Sequence, residues 1–243
     1  MVGSNKAATV IERDFRIFFA DRFMFVNFMI DLGVSGLSLG AMIRNLGFSY
    51  FLYIAPGANL VTATVAAFQS GRDVWRERII QDTQQYLLTL PVRKNTFALS
   101  RLFSGMLRTV VTTLPGTVVI ALLYGLSFPF FLVGLLIMFV YSGAVAGLSV
   151  TAASMANSLE LFATVRSTAQ VYLSFFSTQF YPANILPPAV AAVAAFNPMT
   201  WAVQSFRALQ AGSVNLGLFA PLSALSGALL VVGFLMYRRT MEY

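Results

Sequence analysis

The stretch Arg72-Asp73-Val74-Trp75-Arg76-Glu77-Arg78-Ile79-Ile80-Gln81, running on to Thr89-Leu90-Pro91-Val92-Arg93-Lys94, decides how this chain folds. It is a basic, amphipathic interruption in a sequence that is 58% hydrophobic and only 10% charged. Long apolar stretches flank it on both sides. A membrane chain concentrates Lys and Arg in a short loop where that loop stays in the cytoplasm.

Working outward, six stretches reach the roughly 20 helical residues needed to cross a ~30 Å hydrocarbon core. They are 23–43, 50–70, 103–124, 128–153, 161–181 and 217–237. Helices satisfy their own backbone hydrogen bonds in lipid, and the period-two alternation of a β-barrel is absent. The sequence therefore reads as an all-α polytopic membrane protein, a single transmembrane domain over 1–243 with six transmembrane helices. Lys6, Arg13, Arg16 and Arg22 precede the first span. Arg72, Arg76, Arg78, Arg93, Lys94, Arg101 and Arg108 cluster around the central loop, and Arg166, Arg238 and Arg239 fall on the same side. Only Arg44 and Arg207 fall on the other. The charge bias places both termini in the cytoplasm of a multi-pass plasma-membrane protein. The first 21 residues carry no apolar signal core, so the first span is expected to insert the chain and stay in it.

Ile11, Phe15, Phe18, Phe19 and Phe23 recur at helical spacing opposite Glu12, Arg13 and Arg16. That pattern predicts an amphipathic interfacial helix over 7–22, or else a plain extension of the first span. Gly33, Gly36 and Gly40 in the first span, and Gly143 and Gly147 in the fourth, are small-residue faces for close helix packing. Pro56-Gly57 and Pro115-Gly116 break the hydrogen-bond ladders of the second and third spans. Tyr124-Gly125-Leu126-Ser127-Phe128-Pro129 predicts a tight hairpin. In 182–212, prolines interrupt an apolar stretch too short to span, which predicts short external re-entrant helices and a candidate outer gate.

Chemistry is sparse. There is no histidine and no cysteine, hence no disulfide, no thiol chemistry and no common metal ligand. Gly33-Val34-Ser35-Gly36 matches the Gly-x-Ser-Gly of intramembrane serine proteases, but no histidine is present to activate the serine. No phosphate-binding Gly-x-x-x-x-Gly-Lys-Ser/Thr occurs, so the chain itself is expected to hold no nucleotide and to have no catalytic or metal site. The net charge of +7 fits anionic headgroups better than nucleic acid, because the basic residues border the spans. Asp31, deep in the first span, is either a substrate, proton or packing contact, or a hydrogen-bonding group near a small wet pocket. Tyr172, Phe175, Phe176 and Phe180, with Tyr181, form an aromatic strip that either lines a substrate path or anchors in lipid.

Three motifs carry a family resemblance: Tyr-Phe-Leu-Tyr-Ile-Ala-Pro-Gly at 50–57, Thr83-Gln84-Gln85-Tyr86-Leu87-Leu88-Thr89-Leu90-Pro91-Val92, and Tyr181-Pro182 to Leu186-Pro187 followed by Asn197-Pro198-Met199-Thr200, Arg207 and Gly212. With them the chain resembles the membrane subunits of ABC type-2 exporters, a broad family that includes daunorubicin-resistance, nodulation-factor and O-antigen permeases. Asp82, Gln84, Gln85 and Ser177-Thr178 depart from the family pattern. The resemblance implies a permease that needs two soluble ABC ATPase subunits, which bring ATP and Mg, and a second permease, identical or related. It implies that 72–90 is a cytoplasmic coupling helix, contacting the ATPase through Trp75, Arg76, Glu77, Arg78, Ile79, Asp82, Tyr86, Leu87, Leu90 and Pro91. Tyr181, Pro182, Pro187, Asn197, Pro198 and Met199 become the outer gate, and the cargo an amphipathic drug-like molecule, lipid or lipid-linked glycan. A secondary transporter or channel without an ATPase, or a membrane anchor for a peripheral complex, are the alternatives.

Overall fold

The structure, a computed structural model, describes residues 4–20, 48–81 and 93–241. Its helices are α1 (Ser4–Ala20), α2 (Phe48–Ile79), α3 (Lys94–Tyr124), α4 (Phe128–Met155), α5 (Leu159–Phe175), α6 (Pro188–Ala195), α7 (Pro198–Gln210) and α8 (Leu216–Thr240), with a 3-10 turn at Ala183–Ile185. No strand occurs among the described residues. Four of these helices, α2, α3, α4 and α8, are long and apolar enough to cross a membrane. The first expected span, with Asp31, Gly33, Gly36 and Gly40, lies outside the described residues. The fifth is shorter than its sequence suggests: α5 has 17 residues and stops at Phe175. At ~1.5 Å per residue that is about 25 Å of helix, less than a hydrocarbon core.

The central loop also differs from expectation. Residues 72–79 do not start a separate coupling helix; they are the last two turns of α2, which runs unbroken for 32 residues. Gly71 looks like a break in the sequence but serves close packing. A Cβ there would lie 2.7 Å from the Ser149 carbonyl carbon of α4, so only glycine lets α2 and α4 touch at this level.

α4 sits at the centre, packed on α2, α3, α7 and α8. Its Ile137, Met138, Tyr141 and Val145 meet Leu60, Ala63, Ala67 and Phe68 of α2 and Met199, Val203 and Phe206 of α7 in one buried cluster. Inside it the Tyr141 and Thr64 hydroxyls share a 2.6 Å hydrogen bond, which satisfies both away from water. Gly143 and Gly147 face α8 within the same chain. A Cβ on Gly147 would stand 2.5 Å from the Leu229 carbonyl, and one on Gly233 would stand 2.8 Å from the Gly147 carbonyl. The small-residue face of the fourth span is thus an intrachain seam.

Local chemistry sets the helix ends. Gly125 takes φ of 62°, and the amides of Gly125 and Leu126 cap the carbonyls of Leu122 and Ala121 in a tight α3–α4 hairpin. The prolines of the segment 182–212 begin helices as well as breaking them. Pro188 and Pro198 are the first residues of α6 and α7, where a missing N–H costs nothing. α7 then re-enters the protein, burying Met199, Ala202, Val203, Phe206 and Leu209 along one face.

Candidate functional site

The charge of the central region is organised into an internal ladder. Asp73 and Glu77 lie four residues apart on α2, and Arg101 and Arg108 lie seven apart on α3, so each pair occupies one helix face. The antiparallel helices bring Arg108 Nη1 within 2.9 Å of Asp73 Oδ2, and Arg101 Nη2 within 2.8 Å of Glu77 Oε1. α1 completes the network. Its Asp14 pairs with Arg101, and Arg13 bridges Asp14 at 3.1 Å and Glu77 at 3.2 Å. Arg101 and Asp14 are only 3% and 1% exposed, so this is a desolvated network rather than a surface patch. It fastens α1, α2 and α3 into one unit at the charged end of the bundle.

The N-terminal segment is helical, and it packs on the protein through a side that carries Val10 and Asp14. Val10 and Asp14 are buried, whereas Phe19 is exposed. Arg13 lies 6.0 Å from the Phe97 ring and Arg108 5.8 Å from the Phe18 ring, which sets α1 alongside α3. The charge cluster seats this helix against the bundle.

The same geometry corrects the expected docking ridge. Trp75 is buried among Val74, Phe97, Leu102 and Tyr237, and so is not an exposed anchor. Glu77 belongs to the ladder. Arg78 donates to the Ser154 and Ala156 carbonyls at the end of α4, where helix carbonyls lack internal partners. Of the expected contact residues that the structure describes, Arg76 and Ile79 are exposed, together with Ile80 and Gln81. Asp82, Tyr86, Leu87, Leu90 and Pro91 lie outside the described residues.

At the opposite end, Asn197 holds the outer turns together. Its amide nitrogen donates to the Tyr172, Leu173 and Phe176 carbonyls at 2.9, 3.2 and 2.7 Å, while its Oδ1 caps the Met199 amide at 2.9 Å. Pro198 and Met199 are buried beside it, whereas Tyr181, Pro182 and Pro187 are exposed. The Arg207 guanidinium lies 3.5 Å over the Tyr53 ring and donates to the Tyr53 and Gln179 carbonyls. Neither Arg207 nor Gln179 stands out in the sequence as part of a site with Pro56 and Gly57. Only the fold brings them together.

Tyr172 stacks on Phe176 with ring centroids 6.3 Å apart, and Phe180 lies 6.3 Å from Phe175. Phe175 and Phe176 are exposed on the chain. Along α5 the exposed face continues through Glu160, Thr164, Ser167, Thr168 and Val171.

This fold, with apolar helices of spanning length, one ion-paired end and a proline-started helix re-entering the other, defines a polytopic membrane protein. Residues 6–211 match the family model described as ABC-2 type transporter, and the chain belongs to that family. It is a membrane transport subunit of an ABC system, a family that works with an ABC ATPase. No curated protein matches the chain.

Proposed function

We propose that the chain is the permease of an ATP-driven exporter, working as a pair with a second copy or a related permease over two separate ATPase subunits. The observation that carries this reading is the continuity of α2. One helix of 32 residues runs from Phe48, through Pro56-Gly57, to Ile79, and Arg76, Ile79, Ile80 and Gln81 are exposed at its tip. At ~1.5 Å per residue it is a lever of about 48 Å. The ion ladder stiffens its lower end, so a push at the tip travels as a rigid-body movement rather than dissipating in a hinge. The tip and the segment after it are the coupling surface, with the charged end and both termini in the cytoplasm.

ATP and Mg act in the partner subunits. The exposed hydroxyl-bearing face of α5 and its aromatic outer end line the path between two permeases, which suits an amphipathic drug-like, lipid or lipid-linked glycan cargo. The segment 182–212 is the outer gate.

Reconstitution with the cognate ATPase tests this. Arg76→Glu combined with Ile80→Glu abolishes ATP-coupled transport and ATPase association while the apparent melting temperature of the permease stays unchanged. Retained association and coupled transport in that variant, or transport by the isolated chain without nucleotide, overturns the proposal.

A further inference from the structure

Proline 56 has no N–H, so the Leu52 carbonyl loses its donor in the α2 ladder. The Tyr124 hydroxyl of α3 supplies one at 2.7 Å. The next carbonyl, that of Tyr53, accepts from Arg207 Nη2 at 3.0 Å and Nε at 3.3 Å. Gly57 then lets the turn after α5 lie directly on α2, since a Cβ there would stand 2.6 Å from Gln179 Cβ. Tyr50 and Tyr53 reach the same turn, donating to the Phe180 and Thr178 carbonyls at 3.3 and 3.4 Å. Arg207 ties both sides together through its second bond, to the Gln179 carbonyl at 3.1 Å.

Gln179 pays for this closeness. It is 1% exposed, and neither its Oε1 nor its Nε2 has a hydrogen-bond partner among the described residues. A buried amide with both ends unsatisfied is among the costlier groups a protein can hold. Water entering the turn would satisfy it. This arrangement therefore carries a built-in bias toward opening, opposed by Arg207 together with the Tyr50 and Tyr53 hydroxyls.

We propose that Arg207, Tyr53 and Gln179 form a lock on the outer end of the bundle that opens and recloses during transport, with Arg207 as its positioning residue; this rests on reading 182–212 as the outer gate. The two ends differ in what parting them would leave behind. Separating the charged end strands desolvated Arg101, Asp14 and Glu77 charges, which is strongly unfavourable. Arg207, among the described residues, grips carbonyls and a ring face, and releasing these leaves one partly exposed guanidinium and neutral groups that water can satisfy. The outer end yields and the charged end holds.

The absence of native cysteine makes a direct test available. Thr178 is buried in the lock, and Ser149 is buried in the α2–α4 contact. Single-cysteine chains carrying Thr178→Cys or Ser149→Cys are purified full length in lipid discs, where both faces are accessible, and labelled with a maleimide without nucleotide. Adding Arg207→Ala raises the labelling rate at position 178 several-fold, with position 149 still protected. Adding Gln179→Leu, which keeps shape but removes the orphaned amide, slows labelling at 178. An unchanged rate in Arg207→Ala overturns the lock. Should Arg207→Ala expose both positions by unfolding, Gln179→Leu decides, and an unchanged or faster rate there overturns the proposal. No ATPase enters the assay, so its outcome is separate from the coupling experiment above.

Discussion

Arg101 of α3 and Glu77 of α2 pair at 2.8 Å inside the protein, with Asp14 of α1 held on the same guanidinium. One buried cation thus joins three helices, and it is the fully buried partner of two carboxylates that otherwise have only the partly exposed Arg13. Arg101→Met leaves both with only the partly exposed Arg13 as a partner, and loss of one partner from a buried pair costs about 3–5 kcal/mol. The expected result is a large drop in apparent melting temperature in detergent. Combining it with Asp14→Asn and Glu77→Gln recovers much of the loss, because no buried charge then remains unpaired. A single variant that melts with the parent would show that the ladder does not hold this end together.

The contact of Gly147 with Gly233 is the second place where one atom decides packing. Gly147→Val drives a side chain into the Leu229 backbone, against which even a Cβ would stand 2.5 Å away, so α4 and α8 separate and folded yield falls. Gly227 on the same α8 has nothing within 4 Å of an added Cβ. Gly227→Ala is therefore neutral or stabilising by up to about 1 kcal/mol, from helix propensity alone. Size-exclusion profiles and melting of the two variants measure the contrast.

How much of this was legible beforehand depends on whether a feature is local. Apolar lengths announced the α2, α3, α4 and α8 spans, and Gly125 with Pro129 announced the α3–α4 hairpin. Asn197-Pro198 was legible as a break in an apolar stretch, and the structure adds that it starts α7. The charge ladder was not legible, because Asp73 and Glu77 look like a solvated face until α2 and α3 are known to be antiparallel neighbours. Trp75 was misread for the same reason: it stands among charges, yet it is buried, Glu77 turns inward and Arg78 caps α4, leaving Arg76 exposed. The Arg207 site depends on α2, α7 and the turn after α5, which are far apart in the chain.

Pro56 and Tyr124 form a compensating pair that a double-mutant cycle can isolate. In the parent, Tyr124→Phe leaves the Leu52 carbonyl without a donor and costs about 1 kcal/mol. In Pro56→Ala the restored backbone N–H at position 56 satisfies that carbonyl, so Tyr124→Phe becomes nearly neutral. Equal losses from Tyr124→Phe in both backgrounds, read as shifts in melting, would mean that the hydroxyl acts elsewhere.

Asn197 separates capping from donation. Asn197→Ala removes the Met199 cap and unpairs carbonyls of Tyr172, Leu173 and Phe176, for roughly 2–4 kcal/mol in total. Asn197→Ser restores an acceptor for the Met199 amide and falls between Ala and parent. Asn197→Asp keeps the cap but turns a carboxylate toward three carbonyls that need donors. Burial and those carbonyls both disfavour its charged form, so its folded pKa rises above the unfolded value of about 3.9. The folded state then binds the extra proton more tightly. The contribution from that proton is fully present below the unfolded pKa and is lost as pH climbs through the raised folded value. Asn197→Asp therefore melts higher at pH 5 than at pH 8, relative to the parent at each pH. A melting difference independent of pH would place the position 197 side chain in water instead of against the end of α5.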